Sequence, residues 1–276
     1  MSVPLSKYNN LTQRLITAMA GSAALIAAVV YSPWTYFAVF LFITFFTLHE
    51  FYKLSGLDGM VPQKTFGIII GLIIFSATFF IEFRHISYRY YFLIFPLMSC
   101  VYLIKLYKKS EKKPFTNTAY TFLGLFYVAA PFALLNIAVF ENGSYNFEII
   151  LGSLLILWAN DTGAYFTGLQ FGRTKLFERI SPKKSWEGAI GGGVLALLFA
   201  WGISEYFETL LVWQWLVIGV IIVICGDYGD LVESHLKRSI EIKDSGNTLP
   251  GHGGFLDRFD GLLISAPFIV AFLEIF

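Results

Sequence analysis

The sequence predicts an all-α polytopic integral membrane protein of about nine transmembrane helices, with its N-terminus in the cytoplasm and its C-terminus outside. Three observations carry that expectation. Of 276 residues, 56% are hydrophobic and only 14% charged, whereas a soluble domain has roughly a quarter of its residues charged. Apolar stretches of the length that crosses roughly 30 Å of hydrocarbon follow one another along the whole chain. Lysine and arginine also fall on alternate connections, as the positive-inside bias requires.

The stretches lie near 14–32, 33–53, 64–82, 89–106, 119–140, 147–168, 188–207, 210–227 and 261–276. The first follows Lys7 and Arg14 and has the look of a signal peptide, but so many equally apolar segments come after it that it reads as the first span of a series. With this count only Arg84 and Arg89, among the 20 Lys and Arg, fall on the outer side. Cys100 and Cys225 each sit inside an apolar run, so they predict packing residues and no disulfide framework or zinc site. The formal charge of +1 predicts no nucleic-acid partner, since duplex binding leaves a strongly basic stripe. No internal repeat of the kind transporters use is evident.

The cytoplasmic connections differ in character. The run Lys105, Lys108, Lys109, Lys112, Lys113 reads as a solvated basic loop near anionic headgroups. The connections 169–187 and 228–260 hold most of the remaining unusual polar residues, and the chemistry is expected there. The chain therefore divides into 1–140, five spans of variable character, and 141–276, the catalytic membrane region.

In 226–260 charge and glycine are dense for so apolar a chain. Asp230 lies where the eighth span reaches the cytoplasm, and Asp257 and Asp260 lie just before the ninth leaves it. Mg²⁺ takes one or two carboxylates together with substrate phosphates and waters, and Asp230 and Asp257 fit that role; helix capping or pairing with Arg258 and Lys237 is the plainer alternative. Pro250, Gly251, His252, Gly253 and Gly254 offer backbone N–H groups of the kind that cradle phosphate oxygens. Lys237, Arg238, Lys243 and Arg258 around them favour phosphate over a simple turn.

A second cluster runs from Trp158 to Tyr165 within the sixth span, where Asn160 and Asp161 are costly in hydrocarbon and mark a functional path or a paired polar core. A third is the connection holding Ser181, Lys184, Ser185 and Glu187 before the seventh span, which has the composition of an anion-binding helix N-terminus. The glycines from Gly188 to Gly193 border a lipid-accessible cleft or serve close helix packing. Glu50, beside His49, reads as a marker of the cytoplasmic interface.

These residues place the chain in a recognisable group: it resembles the phosphatidate cytidylyltransferases. That family's signature is S-x-x-K-R, four residues, K-D, five residues, P-G-H-G-G-x-x-D-R-x-D. Here it is carried by Ser234, Lys237, Arg238, Lys243, Asp244, Pro250, Gly251, His252, Gly253, Gly254, Asp257, Arg258 and Asp260, with every spacing kept. The resemblance extends to Asn160, Asp161, Ala164, Tyr165 and Gly168, and to the stretch from Ser181 to Gly188, where Ser185 stands in a position that relatives often fill with Thr. Over the first 140 or so residues it amounts to hydrophobic spans alone.

The resemblance implies transfer of a cytidylyl group from CTP to phosphatidic acid. It implies Mg²⁺ on Asp230 and Asp257, with a second, monovalent cation possible beside it, and a homodimer among membrane lipids. The other signature residues would surround the phosphates. Size and the lack of a targeting extension predict a bacterial plasma membrane with the site facing the cytoplasm. A transporter or channel would account for Asp161 but not for the Gly, Pro and Arg/Asp loop. A CTP-dependent lipid-alcohol kinase would share nucleotide and metal but would need a base.

Overall fold

A computed structural model describes residues 10–57, 59–107, 111, 113–141, 143–242, 245–246 and 253–276, with side chains from Thr17 onward. Lys7, Lys108, Lys109, Lys112, Lys243, Asp244, Pro250, Gly251 and His252, all singled out above, lie outside the described residues.

Among the described residues the molecule is an all-α membrane protein with one small β-hairpin. Its helices are α1 (Asn10–Tyr31), α2 (Pro33–Leu57), α3 (Lys64–Phe83), α4 (Ile94–Leu106), α5 (Pro114–Gly124), α6 (Ala130–Val139), α7 (Glu148–Phe171), α8 (Trp186–Ser204), α9 (Val212–Ser239) and α10 (Leu256–Ile275). A 3₁₀ turn, Tyr88–Leu93, leads into α4, and a π turn, Leu125–Ala129, joins α5 to α6 in one rod. Pro131 has no N–H to give the ladder, and the ladder widens to the π form just before it.

Seven of these rods are long and apolar enough to cross a membrane. α1 contributes a shorter apolar stretch, Thr17–Tyr31, and α10 carries Asp257, Arg258, Asp260 and Glu274 within its 20 residues.

Between spans lipid is as apolar as leucine, so helices associate through close packing and internal hydrogen bonds. α2 packs deeply: Tyr36, Phe40, Leu48, Phe51 and Tyr52 are fully buried, and the Tyr52 hydroxyl donates to the Thr121 carbonyl at 2.8 Å. Asn136 on α6 donates to Thr78 Oγ1 on α3 at 2.7 Å. α7 and α8 approach so closely that a Cβ on Gly163 would lie 2.9 Å from Gly192 Cα. That supports the packing reading of the α8 glycines, although Gly188 also lines a cavity.

Three expectations need correction. The connection 169–187, expected as a polar cytoplasmic loop, contains strands: β1 (Lys175–Phe177) and β2 (Ser181–Ser185) pair antiparallel, Lys175 opposite Ser185. The eighth expected span does not end near 227: α9, which contains it, continues to Ser239, because pairs one turn apart, Ser234 with Asp230 and Glu233 with Lys237, satisfy its polar residues. Lys105 is not part of a solvated run: it is buried, ion-paired with Glu111 and donates to the Val61 carbonyl at 3.2 Å.

Candidate active site

The extension of α9 sets Asp227, Asp230, Glu233, Ser234 and Lys237 on one face by their spacing of three and four residues. That face meets the start of α10. The two helices touch where a Cβ on Gly229 would lie 2.5 Å from the Asp260 carbonyl, so a side chain there would drive the acidic residues apart. The carboxylates of Asp230, Glu233 and Asp260 bring ligand atoms within 4.8 Å of one another.

Two lysines hold this acidic face. Lys184 Nζ, from β2, lies 2.7 Å from Asp230 Oδ2 and 3.5 Å from Asp227 Oδ1. Burial alone would lower the Lys184 pKa, but Asp230 and Asp227 outweigh it and move it upward. The hairpin that presents Lys184 is fastened by Glu187, which accepts hydrogen bonds from Arg173 N and Thr174 N at 3.1 Å, and by Ser185, whose Oγ accepts from Gly188 N at 3.2 Å as the N-cap of α8.

Lys237, from α9, lies 2.7 Å from Glu233 Oε2 and 2.6 Å from Asp257 Oδ1. Asp257 Oδ2 accepts from Ser245 N at 3.0 Å, Ser245 Oγ at 2.9 Å and Gly254 N at 2.8 Å. Gly253 there has φ +82°, a conformation glycine adopts without strain.

A cavity of about 1510 Å³ opens beside these groups, larger than the roughly 300–1,000 Å³ of a single small-molecule pocket. Its apolar part is walled by Gly21, Ser22 and Leu25 of α1, Phe42 of α2 and Trp158 of α7; its polar end by Asp161, Lys183, Lys184, Asp227, Asp230, Asp257, Arg258 and Asp260. Charged groups thus stand at one end of the cavity and mostly apolar ones at the other.

The sequence-predicted residues are thus partly gathered. Asp161, Lys184, Ser185, Asp230, Asp257, Arg258 and Asp260 line the cavity. Asn160 is fully buried one position before Asp161. Ser234 stands behind the wall, donating to Asp230 Oδ1 at 3.3 Å, and Gly254 stands behind Asp257. Ser181 sits on the hairpin opposite Phe177, outside the cavity wall, and exposed Arg238 donates to the Ile242 carbonyl at 2.8 Å. Sequence reasoning missed Glu233, although its spacing to Asp230 and Lys237 was visible, and read Glu50, which is buried beneath Gly254, as an interface marker.

Carboxylates outnumber cations among the described residues of this wall, and Glu233 Oε1 is buried with no hydrogen-bond partner among them. An acidic excess beside a space for polyanions fits a divalent cation, which takes carboxylate oxygens and phosphate oxygens together.

Comparison with known proteins bears on this arrangement. Residues 12–276 match the profile of the group described as the cytidylyltransferase family. The chain is similar to the phosphatidate cytidylyltransferase of Bacillus subtilis (strain 168), 43% identical over 133 residues, which are 48% of this chain and 49% of that one. It is 36% identical over 173 residues to the enzyme of that name from Staphylococcus saprophyticus, 62% of this chain and 65% of the relative. With the one from Haemophilus influenzae it is 36% identical over 168 residues, 59% of this chain and 58% of the relative. The chain thus spans about half to two-thirds of the length of the curated relatives it matches.

Proposed function

We propose, because this chain belongs to the cytidylyltransferase family, that it transfers the cytidylyl group of CTP to phosphatidic acid, forming CDP-diacylglycerol and releasing pyrophosphate. The observation that carries the reading is the cavity that runs from an apolar wall on α1, α2 and α7 to Lys184, Asp230, Asp257 and Arg258.

In this reaction a phosphate oxygen of the lipid forms a bond to the α-phosphorus of CTP while the bond from that phosphorus to the bridging oxygen of pyrophosphate breaks. The attacking oxygen is already anionic near neutral pH, so no strong base is required. The chain's task is to hold two mutually repelling polyanions in line. Lys184 and Arg258 supply positive charge at the cavity wall, and Lys237 fixes Asp257. The apolar wall keeps the acyl chains in hydrocarbon while the headgroup meets the nucleotide.

A Mg²⁺ ion, when bound, would neutralise phosphate charge and template the leaving group. Asp230 would anchor it. The geometry supplies Asp260 and Glu233 beside Asp230, and the family resemblance supplies Asp257, one turn of α10 before Asp260. We further propose nine spans with the site on the cytoplasmic side of a bacterial inner membrane, a catalytic region in 141–276 that the spans of 1–140 support, and a homodimer.

The test is acceptor choice. Purified protein given CTP should consume phosphatidic acid in preference to an isoprenoid alcohol; consumption of the alcohol alone would replace this reading with a kinase, and no CTP turnover would return a transporter to consideration.

A further inference from the structure

Glu50 lies in α2, far in sequence from every signature residue, and is 2% exposed. A carboxylate taken out of water is costly unless donors meet it. Glu50 Oε2 accepts from Leu256 N at 2.9 Å, a bond that spans 206 positions. Leu256 is the first residue of α10, where backbone N–H groups lack helical partners and the helix dipole favours negative charge. The residue before it, Phe255, offers no capping side chain, so Glu50 caps this helix from another span.

The same carboxylate occupies the space two glycines leave. A Cβ on Gly246 would lie 2.9 Å from Glu50 Oε1, and one on Gly254 would lie 2.3 Å from Glu50 Oε2. Ser245 Oγ then stands between two acids, 3.5 Å from Glu50 Oε2 and 2.9 Å from Asp257 Oδ2. One chain of contacts therefore runs from the N-terminal helices through Ser245 to Asp257, whose other oxygen meets Lys237 at 2.6 Å.

We infer that Glu50 is a positioning residue for the reaction: acting through Ser245 and the first turn of α10, it holds the segment 253–257 in place and sets the direction of Asp257. This rests on the transferase reading above. It gives Gly254 a role apart from phosphate binding, since the place of its side chain is filled by Glu50 and Ser245.

The full-length protein in detergent, with Glu50→Gln and Glu50→Ala variants, tests this by two readouts. Removal of a supporting partner of this kind costs roughly 10- to 100-fold in activity. Glu50→Ala should lower kcat per folded molecule by about that factor, with KM for phosphatidic acid changed less than about threefold. Deuterium exchange at Gly254 and Leu256 should quicken alongside. Glu50→Gln keeps an acceptor for Leu256 N and should retain roughly a third or more of kcat. Wild-type exchange and kcat in Glu50→Ala, or a loss explained wholly by a smaller folded fraction, would overturn the inference. Should Glu50→Ala not fold, Ser245→Ala decides: kcat reduced by roughly three- to tenfold supports the link, and unchanged kcat removes it. If the wild type shows no cytidylyl transfer, the function reading fails, while the exchange measurement still decides what Glu50 does.

Discussion

Replacing Lys184 by alanine removes the side chain that the structure places between β2 and the Asp227/Asp230 pair, at 3.5 and 2.7 Å. Its side chain is 25% exposed, so the ion pair is partly screened and the full Coulomb energy at that distance does not apply. A hydrogen bond to a charged group is worth about 1.5–3 kcal/mol. If Lys184 serves the transferring phosphates, losing it should lower kcat/KM by about 10- to 150-fold, since about 1.4 kcal/mol is tenfold. The assay is formation of radiolabelled CDP-lipid from CTP and phosphatidic acid in mixed micelles, normalised to folded protein. A variant within about threefold of wild type would refute the placement of Lys184 at the reacting phosphates. Because Asp230 and Asp227 raise its pKa, the stabilising charge of Lys184 is fully present below its unfolded value of about 10.4 and is lost only as pH rises through the higher folded value. Across about pH 6 to 9 wild-type Lys184 therefore stays charged, and the rate of Lys184→Ala should lie below that of wild type throughout that range.

Asp230→Asn should cut turnover by about 100-fold or more and raise the Mg²⁺ concentration needed for half-maximal rate; a rate curve against Mg²⁺ that overlays wild type would exclude Asp230 as anchor. Comparing Asp257→Asn with Asp260→Asn in the same titration ranks the two as candidates for the second carboxylate, because losing a direct ligand shifts the metal requirement more than losing a supporting partner does. Gly229→Ala places a methyl 2.5 Å from the Asp260 carbonyl and should destabilise by about 1–3 kcal/mol as overpacking does, read as a lower midpoint in a thermal melt; an unchanged midpoint would mean that the α9–α10 approach is looser than described. Glu187→Ala unfastens Arg173 N and Thr174 N and should raise KM by roughly three- to tenfold while hastening proteolysis between 172 and 180; protection equal to wild type would count against the clamp.

Much of the helical frame was legible because a span announces itself by length and apolarity. The site was legible in part because charge and glycine stand out in so apolar a chain: Asp161, Lys184, Asp230, Asp257 and Arg258, singled out from three separate segments, line one cavity. What escaped had identifiable causes. Hydropathy stopped the eighth span near 227, yet 228–239 remains helical because Asp230 with Ser234 and Glu233 with Lys237 are satisfied one turn apart, a pattern that transfer scales ignore. The hairpin escaped because its strands are three and five residues long and mostly polar. Glu50 looked like an interfacial acid because nothing local distinguishes it; its partners lie 195 and 206 positions away. The π turn before Pro131 lay inside an uninterrupted apolar run, where helix type leaves no mark on composition.

The most direct test of the central claim is cytidylyl transfer by the purified protein with and without divalent cation. Release of pyrophosphate matched one-for-one by CDP-diacylglycerol, abolished by chelation and restored by Mg²⁺, is the predicted result. Absence of CDP-diacylglycerol in active, folded preparations supplied with CTP, phosphatidic acid and Mg²⁺ would contradict it.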